Sequence, residues 1–173
     1  MKRFFDRTVT IVSILAMVAV ATPASAQSYD EIGIARGSTP GAVQVENLEG
    51  ASVDLGAYFG GKPLLLEFWA TWCENCEALL PDMIAAYERY SDRVEFFAVA
   101  VGVGQSPRSI GRHLRRHPMP IPILFDRMGA AVRAFMTPAT SYIVVLDAEG
   151  HVVYTGIGPD QDIDAAIRTA LEP

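Results

Sequence analysis

The chain contains two cysteines, Cys73 and Cys76, and both lie in the short stretch EFWATWCENCEALLP, residues 67–81. A disulfide between them would close a ring of only four residues. Such a ring removes little entropy from the unfolded chain and stabilises a fold by roughly 2 kcal/mol at best. The spacing therefore favours redox chemistry, in which the pair alternates between dithiol and disulfide, over a structural cross-link.

The flanking residues predict where this pair lies. KPLLLEFWA is a nearly continuous apolar run of strand length, as expected for a central strand buried on both faces. From Glu74 to about Tyr90, apolar residues recur every three or four positions and predict a helix with one buried face. Cys73 would then lie at the helix start, where free N–H groups and the helix dipole favour its thiolate. Cys76, one turn further in and less exposed, suits the resolving role.

A metal site is the main alternative for a CxxC pair. Two thiolates do not complete a tetrahedral zinc site, and no second pair of Cys or His residues stands at ligand spacing nearby. Redox chemistry is favoured, and no metal site is predicted.

The N-terminus predicts the compartment. MKRFFDR is basic, TVTIVSILAMVAVA is uncharged and mostly apolar, and Ala24 and Ala26 are small residues before Gln27. This pattern indicates a secretory signal peptide, residues 1–26, cleaved after Ala26. An uncleaved anchor is the alternative, but the apolar run is shorter than the ~20 residues of a spanning helix. A periplasmic or otherwise extracytoplasmic protein is expected, without stable membrane insertion after cleavage.

Removing 26 of the 173 residues leaves 147, a usual length for one domain with its own core. The removed segment carries three basic residues and one acidic residue, so the net charge changes from −6 to −8. Such a surface disfavours binding to nucleic acid or anionic lipid. In an oxidising compartment, a cysteine pair can cycle only if a partner supplies or removes electrons.

The rest of the chain predicts one layered α/β domain over residues 41–173. Residues 27–40 are poor in large apolar residues and predict a flexible tether. After them, strand patterns alternate with helix patterns, and Ser106 and Pro107 mark a helix start. We therefore expect helices flanking one mixed sheet, preceded by a β-hairpin and followed by a terminal helix. The hairpin is predicted at AVQVEN and ASVDL, followed by a turn or short helix at GAYFGG. Further strands are predicted at RVEFFAVAVGV and IPILFD and as a second hairpin at SYIVVLDAEGHVVYTG. Further helices are predicted at SPRSIGRHLRRH, MGAAVRAFM and QDIDAAIRTALE.

The order of these motifs resembles a known family. EFWATWCENC with a proline five residues on, then IPILFD, then MTPATSYIVVLDAEG, are similar to the extracytoplasmic TlpA/ResA-like thiol-disulfide oxidoreductases of the thioredoxin superfamily, with a domain of the AhpC/TSA–Redoxin type. The resemblance covers roughly residues 42–172, and WCxxC is its most specific part. It implies a thioredoxin-like fold: a central mixed β-sheet flanked by helices, with an N-terminal β-hairpin extension.

The resemblance also implies roles for individual residues. Cys73 would attack and Cys76 would resolve. Pro138 would be the cis-proline that faces the pair, so that the Thr137–Pro138 bond is cis and Thr137 contacts the substrate chain. Pro81 matches the proline that kinks the catalytic helix. Two positions depart from the pattern, because Leu79 and Ala139 stand where many relatives carry Glu, and assignment to haem maturation is correspondingly weaker.

Glu67, six residues before Cys73, lies where thioredoxin keeps a buried acid beneath the disulfide. In an apolar strand its pKa would be raised, and its carboxylate could take the proton of Cys76 during exchange. A partly solvated or ion-paired strand glutamate is the alternative.

Three further residues lie near the pair in the sequence. Glu74 places a negative charge beside the Cys73 thiolate and should make the dithiol more reducing, while it also suits a helix N-terminus. Asn75, the other residue between the cysteines, completes the dipeptide that tunes the potential. Trp72 is either an exposed platform for substrate or packed under a loop, whereas Trp69 is predicted to be core.

The segment from Arg108 to His117 is basic and carries His113 and His117 four residues apart. It could attract an acidic partner or a metal ion. A solvated helix face is the favoured interpretation, since two histidines without a third ligand bind metal poorly.

The leading functional hypothesis is an exported enzyme that reduces protein disulfides and is itself re-reduced by a membrane dithiol carrier, without a bound cofactor. A Cu(I) chaperone using Cys73 and Cys76 is the binding-class alternative, although such chaperones of this superfamily use CxxxC with a distant histidine. A peroxiredoxin is disfavoured, because Thr71 is two residues before Cys73 and five before Cys76, not three before either. An inert interaction domain is disfavoured by the exposed position expected for the pair.

Overall fold

The computed structural model describes residues 32–172. The strands are β1 (Gln44–Asn47), β2 (Ser52–Asp54), β3 (Leu64–Trp69), β4 (Glu95–Val101), β5 (Ile123–Asp126), β6 (Tyr142–Leu146) and β7 (Val152–Ile157). The helices are α1 (Glu74–Tyr90), α2 (Pro107–Leu114), α3 (Ala130–Ala134) and α4 (Ile163–Leu171), with a short 3₁₀ helix at Leu55–Tyr58. The predicted signal peptide and residues 27–31 lie outside the described residues.

All seven strands form one mixed sheet in the order β2-β1-β5-β4-β3-β6-β7. The three central strands β3, β4 and β5 are parallel, and every other pairing is antiparallel. The predicted N-terminal hairpin, β1 and β2, continues the sheet through the pairing of β1 with β5. The expected fold class, a mixed sheet flanked by helices, is confirmed.

Strand β3 is fully buried, and its alternating side chains point to two different layers. Trp69 lies on one face, where its ring centroid is 5.8 Å from that of His113, just before the end of α2. Phe68 lies on the other face, 5.6 Å from Phe135, the residue that follows α3. Helices α1 and α2 therefore cover the face that carries Glu67 and Trp69.

Local sequence signals explain where the helices near the site begin. Cys73 is the N-cap of α1, and its sulfur accepts the backbone N–H of Cys76. Ser106 caps α2 in a reciprocal arrangement with Ser109, and Pro107 occupies the first helical position. Both helix starts agree with the sequence prediction.

The segment predicted to be a flexible tether is docked on the domain from residue 32 onward. Ile34 is buried, and its N–H donates to the hydroxyl of Tyr142 at 3.1 Å. Gly33 adopts a positive φ of 87° directly beside this hydroxyl, where a Cβ would clash. Gly37 and Ser38 exchange backbone hydrogen bonds with Val152. The prediction was wrong for residues 32–40, because one buried isoleucine and long-range hydrogen bonds outweigh a polar, glycine-rich composition.

Within residues 32–172, none of the helices combines the length and apolar character needed to cross a lipid bilayer.

Candidate active site

The two cysteines form a disulfide at the junction of β3 and α1. Cys73 lies just before the helix, and the backbone N–H of Cys76 donates to its sulfur at 3.1 Å. In the reduced protein the same N–H group is placed to donate to a Cys73 thiolate. A hydrogen bond to the charged form and the positive end of the helix dipole both favour ionisation. The site therefore contains a built-in stabiliser of the nucleophilic form of Cys73.

The two sulfur-bearing residues differ little in exposure. Cys73 is 9% exposed and Cys76 is 6% exposed. The expectation that Cys76 is the less exposed residue agrees with this order, but the pair is more sheltered than its position at a helix start suggested. The exposed edge beside the pair belongs to the loop that precedes Cys73.

That edge is formed by Trp72. Its side chain is 52% exposed, and its indole N–H donates to the backbone carbonyl of Val103 at 3.0 Å. The hydrogen bond holds the ring in one orientation beside Cys73, and Val103 itself is a strongly exposed apolar residue. Of the two interpretations of Trp72, the structure supports the surface position. Trp69 is 2% exposed and belongs to the core, as predicted.

Glu67 is the most unusual ionisable group of the site. Its residue is 1% exposed, and its Oε1 atom has no hydrogen-bond partner among the described residues. Burial raises the pKa of Glu67 from 4.5 to about 8, because desolvation penalises the charged carboxylate. The described residues place no cation in an ion pair with it. Of the two interpretations of Glu67, the ion-paired strand glutamate is thereby disfavoured.

A cavity of about 170 Å³ joins this carboxyl group to the disulfide. Its walls come from the end of β3, the loop before α1, the first turns of α1, and the end of α2 with the turn that follows. Glu67, Cys73 and Cys76 all line it, together with Trp69, Trp72, Glu74, Glu77, His113 and His117. Tertiary structure thus gathers the two cysteines and a buried acid around one space.

The sequence analysis missed Gln105, which positions the loop before Cys73. The backbone N–H of Thr71 donates to its side-chain oxygen at 3.0 Å, while its side-chain nitrogen donates to the carbonyl of Val101 at 2.6 Å. Gln105 therefore ties the active-site loop to the end of β4. A lone glutamine 34 residues from its partner gives no local signal, and only the fold reveals this role.

The predicted cis-proline is absent. No peptide bond between residues 32 and 172 is cis, so Thr137–Pro138 is trans. Trans is the lower-energy isomer of an X–Pro bond by about 0.5–1 kcal/mol. The chain instead turns toward β6 with positive φ values at Met136, 48°, and Ser141, 59°. The cis prediction was wrong in this structure.

Thr137 and Pro138 do not line the cavity beside the disulfide. Pro138 is exposed, and the N–H of Thr137 donates to the carbonyl of Val132 at 2.9 Å. The hydroxyl oxygen of Thr137 is buried and has no partner among the described residues. Contact of Thr137 with a substrate chain stays a prediction.

Glu74 and Asn75 are exposed in the first turn of α1, with Glu74 also at the cavity wall. Their tuning of the redox potential stays a prediction. Across residues 32–172, no group of three or more His, Cys, Asp or Glu side chains is arranged to hold a metal ion. The Cu(I) alternative stays a prediction.

Comparison with known proteins agrees with this site. The Redoxin family model matches residues 35–171. The thiol-disulfide oxidoreductase ResA of Geobacillus thermodenitrificans is 30% identical over 158 residues, covering 89% of each chain. The exposed lipoprotein thioredoxin Etrx1 of Streptococcus pneumoniae has a TM-score of 0.66 at 25% identity, covering 77% of this chain and all of that one.

A further solved structure supports the fold alone. The thioredoxin domain of an oxidoreductase from Bacteroides vulgatus gives a TM-score of 0.68 at 18% identity, covering 79% of this chain and 99% of that domain. With a redox-active spacing of cysteines, a matching family model and a relative of the same length class, the chain belongs to the Redoxin family and is a ResA-like thiol-disulfide oxidoreductase.

Proposed function

We propose that this protein is an exported reductase of protein disulfides, in which Cys73 attacks, Cys76 resolves and Glu67 exchanges the proton. The observation that carries the proposal is the shared cavity: a cysteine sulfur that accepts a helix N–H lies beside a buried carboxyl group without a partner. Exchange needs a thiolate at one sulfur and a proton acceptor for the other.

The first step uses the reduced protein. The Cys73 thiolate attacks one sulfur of a substrate disulfide, forms a mixed disulfide with it and expels the other substrate sulfur as a thiolate. The N–H of Cys76 and the dipole of α1 stabilise the Cys73 thiolate before attack. Trp72 offers its exposed ring to the polypeptide on either side of the substrate sulfur.

The second step releases the substrate. Glu67, in its ionised form, takes the proton of the Cys76 thiol, and the Cys76 thiolate attacks Cys73. The Cys73–Cys76 bond forms, the mixed disulfide breaks, and the second substrate sulfur leaves as a thiolate that is protonated by solvent. Two electrons pass from the enzyme pair to the substrate. A pKa near 8 suits a group that must accept and release a proton near neutral pH.

An external dithiol must then return two electrons to the Cys73–Cys76 disulfide. For an exported protein this donor would be a membrane dithiol carrier, which reduces the pair by the reverse exchange. Glu74, in the dipeptide that it forms with Asn75, tunes the pair toward a reducing potential, because its negative charge beside Cys73 disfavours the thiolate and so favours the disulfide form.

The equilibrium reduction potential tests the direction of electron flow. The protein would be equilibrated with glutathione or dithiothreitol buffers and the thiols counted by alkylation and mass spectrometry. A value near or below about −270 mV, that of thioredoxin, supports a reductase. A value near about −120 mV, that of the oxidant DsbA, would contradict it and the tuning role of Glu74.

Trapping tests the roles of the two cysteines. The Cys76→Ser variant should accumulate a mixed disulfide at Cys73 with a substrate protein, because nothing resolves it. The matched Cys73→Ser variant should accumulate none and should have no activity. Accumulation at Cys76 in the Cys73→Ser variant would reverse the assignment.

Export is tested by fractionation. Protein expressed from the full sequence should be recovered outside the cytoplasm with Gln27 as its first residue, as read by N-terminal mass spectrometry. Recovery in the cytoplasm with residues 1–26 still present would contradict export.

A further inference from the structure

Two histidines near the disulfide form a cluster that the exchange reaction described above does not use. His113 lies in the last turn of α2 and His117 follows one turn later. Their rings are stacked, with centroids 4.6 Å apart and planes 12° apart. Nδ1 of His117 is 3.3 Å from a carboxylate oxygen of Glu77, an exposed residue of α1. The cluster therefore connects α2 to the catalytic helix next to Cys76.

The cluster also lines the cavity that Glu67 lines. His113 packs on the ring of Trp69, which shares a strand face with Glu67. Glu67, His113 and His117 line the same cavity, Glu67 at 1% exposure and the histidines at its half-buried rim. Two buried polar atoms near it, Oε1 of Glu67 and Nε1 of Trp69, have no protein partner among the described residues. The cavity, about 170 Å³, is large enough to hold water between the Glu67 residue and the histidines that line it.

We propose that His113 relays the proton of Glu67 through the cavity to solvent. His117 and Glu77 hold the His113 ring in place. This inference rests on the role of Glu67 in the proposed function. From the sequence alone, the segment that carries His113 and His117 is expected to be a solvated basic helix face.

The proton balance shows why a relay is needed. At neutral pH most Glu67 carboxyl groups carry a proton, because their pKa is about 8. Before Glu67 can accept the Cys76 proton, it must lose its own to the neutral imidazole of His113 by way of cavity water. His113 then releases that proton to bulk solvent. No bond between heavy atoms changes in the relay. The proton starts on the Glu67 carboxyl group and ends on bulk water.

The charge state of His113 fits this task. Burial lowers the pKa of His113, and the neighbouring His117 and Arg116 lower it further, while Glu77 opposes them. The ring of Trp69 from β3 packs on it, and the charged or titratable groups that act on it are Glu77 from α1 and His117 and Arg116 from its own segment. Glu67 and Glu74 line the same cavity. The imidazole is therefore neutral near pH 7 and available as a proton acceptor.

The test measures the resolution step by itself. Reduced protein is mixed with an aromatic disulfide whose thiolate products absorb light, and the second, first-order release reports attack by Cys76. His113→Gln keeps a polar side chain of similar reach but cannot titrate. We expect its resolution rate to fall about tenfold at pH 7, at the low end of general acid–base effects. The wild-type rate should also fall as His113 becomes protonated at low pH, and this inflection should be missing in the variant.

Imidazole rescue separates proton transfer from packing. His113→Ala enlarges a cavity that is open to solvent, so added imidazole should restore most of the lost rate, whereas a purely structural defect should not respond. His151→Gln is the matched control, because His151 lies in the β6–β7 turn, away from the site. At that end of the sheet Leu146 of β6 pairs with Leu64 at the start of β3, whereas the disulfide follows the other end of β3. A wild-type rate and pH profile in His113→Gln, or no rescue of a slow His113→Ala, would overturn the proposal.

The same assay with Glu67→Gln distinguishes failure of this inference from failure of the proposed function. Both proposals are supported if resolution is slow in Glu67→Gln and in His113→Ala, and if imidazole restores the rate only in His113→Ala. A slow Glu67→Gln with a wild-type His113→Gln overturns the relay alone. A wild-type rate in Glu67→Gln removes Glu67 from the proposed mechanism and the relay with it.

Discussion

The two faces of β3 differ in how completely they are packed. On one face, Phe68 packs against the rings of Phe135 and Tyr142, with centroids 5.6 Å and 6.1 Å away, and the Tyr142 hydroxyl is hydrogen-bonded to the backbone of Ile34 and Ile32. On the other face, Glu67 and Trp69 carry buried polar atoms without partners and border a cavity. Neighbouring residues of one strand thus face a close-packed core on one side and a cavity with unpaired buried polar atoms on the other.

This difference separates stability from chemistry. Close packing stabilises the fold, whereas a buried carboxyl group without a partner costs stability. Such a cost is expected where the group has a task that needs a shifted pKa. Substitutions on the Phe68 face should therefore destabilise the fold, whereas Glu67→Gln should slow exchange and stabilise the fold at high pH.

The largest expected effect is on the packed face. Phe68→Ala should lower the free energy of unfolding by about 3–5 kcal/mol, because it leaves a cavity among large rings. Urea unfolding of the oxidised protein measures the change. In the fraction that stays folded, the resolution rate should remain within about twofold of wild type. A large loss of rate in well-folded protein would show that the two faces are not separable.

The next effect is on the site face and depends on pH. The pKa of Glu67 is raised on folding, so the contribution of this group to stability is fully present below pH 4.5 and is lost as pH rises through about 8, where the folded carboxyl group also ionises. Glu67→Gln cannot titrate and should gain roughly 4 kcal/mol relative to wild type over this window. Unfolding curves at both pH values measure it.

Glu88→Gln, at an exposed position of α1, is the control for this measurement. Its stability relative to wild type should change little with pH. A constant difference between Glu67→Gln and wild type across the window would mean that Glu67 is not buried as a neutral acid.

A smaller effect is expected from the loop that connects the two regions. Gln105→Ala removes the acceptor for the Thr71 N–H and should cost about 1–3 kcal/mol of stability, since that donor lies at a part-buried position. The attack rate of Cys73 should fall with it, because the loop before Cys73 loses its tie to β4. Gln44→Ala removes only an exposed side-chain contact to Ser52 and serves as the control. Equal rates in both variants would contradict a positioning role for Gln105.

The smallest effect concerns substrate contact. Trp72→Ala should raise the KM for a protein substrate about fivefold, on the order of 1 kcal/mol, with kcat nearly unchanged, because the exposed ring contributes uniform binding. Trp72→Phe keeps an apolar ring but loses the hydrogen bond to Val103 and should be intermediate. Steady-state reduction of a disulfide-bonded protein measures both. An unchanged KM in Trp72→Ala would remove this residue from the substrate surface.

Elements with strong local signals were predicted well. Helix α1 runs from Glu74 to Tyr90 as its apolar spacing indicated, and α2 begins after Ser106 with Pro107 at its first position. Helix caps and apolar periodicity depend on residues that are close together in the chain, so both can be recognised in the sequence. The docking of Ile34 and the turn around Pro138 were not predicted, because each depends on partners far away in the chain or on a choice between isomers of similar energy.

The amino-acid sequence by itself determined the redox pair, its position before a helix and the family to which the chain belongs, since these depend on residue types and short spacings. Only the tertiary structure decided which side chains share the cavity with that pair. His113 and Gln105 lie 32 to 40 residues from Cys73 along the chain. Folding of β4 and α2 against β3 and α1 brings them to the site, and the same burial that removes water from Glu67 creates its raised pKa.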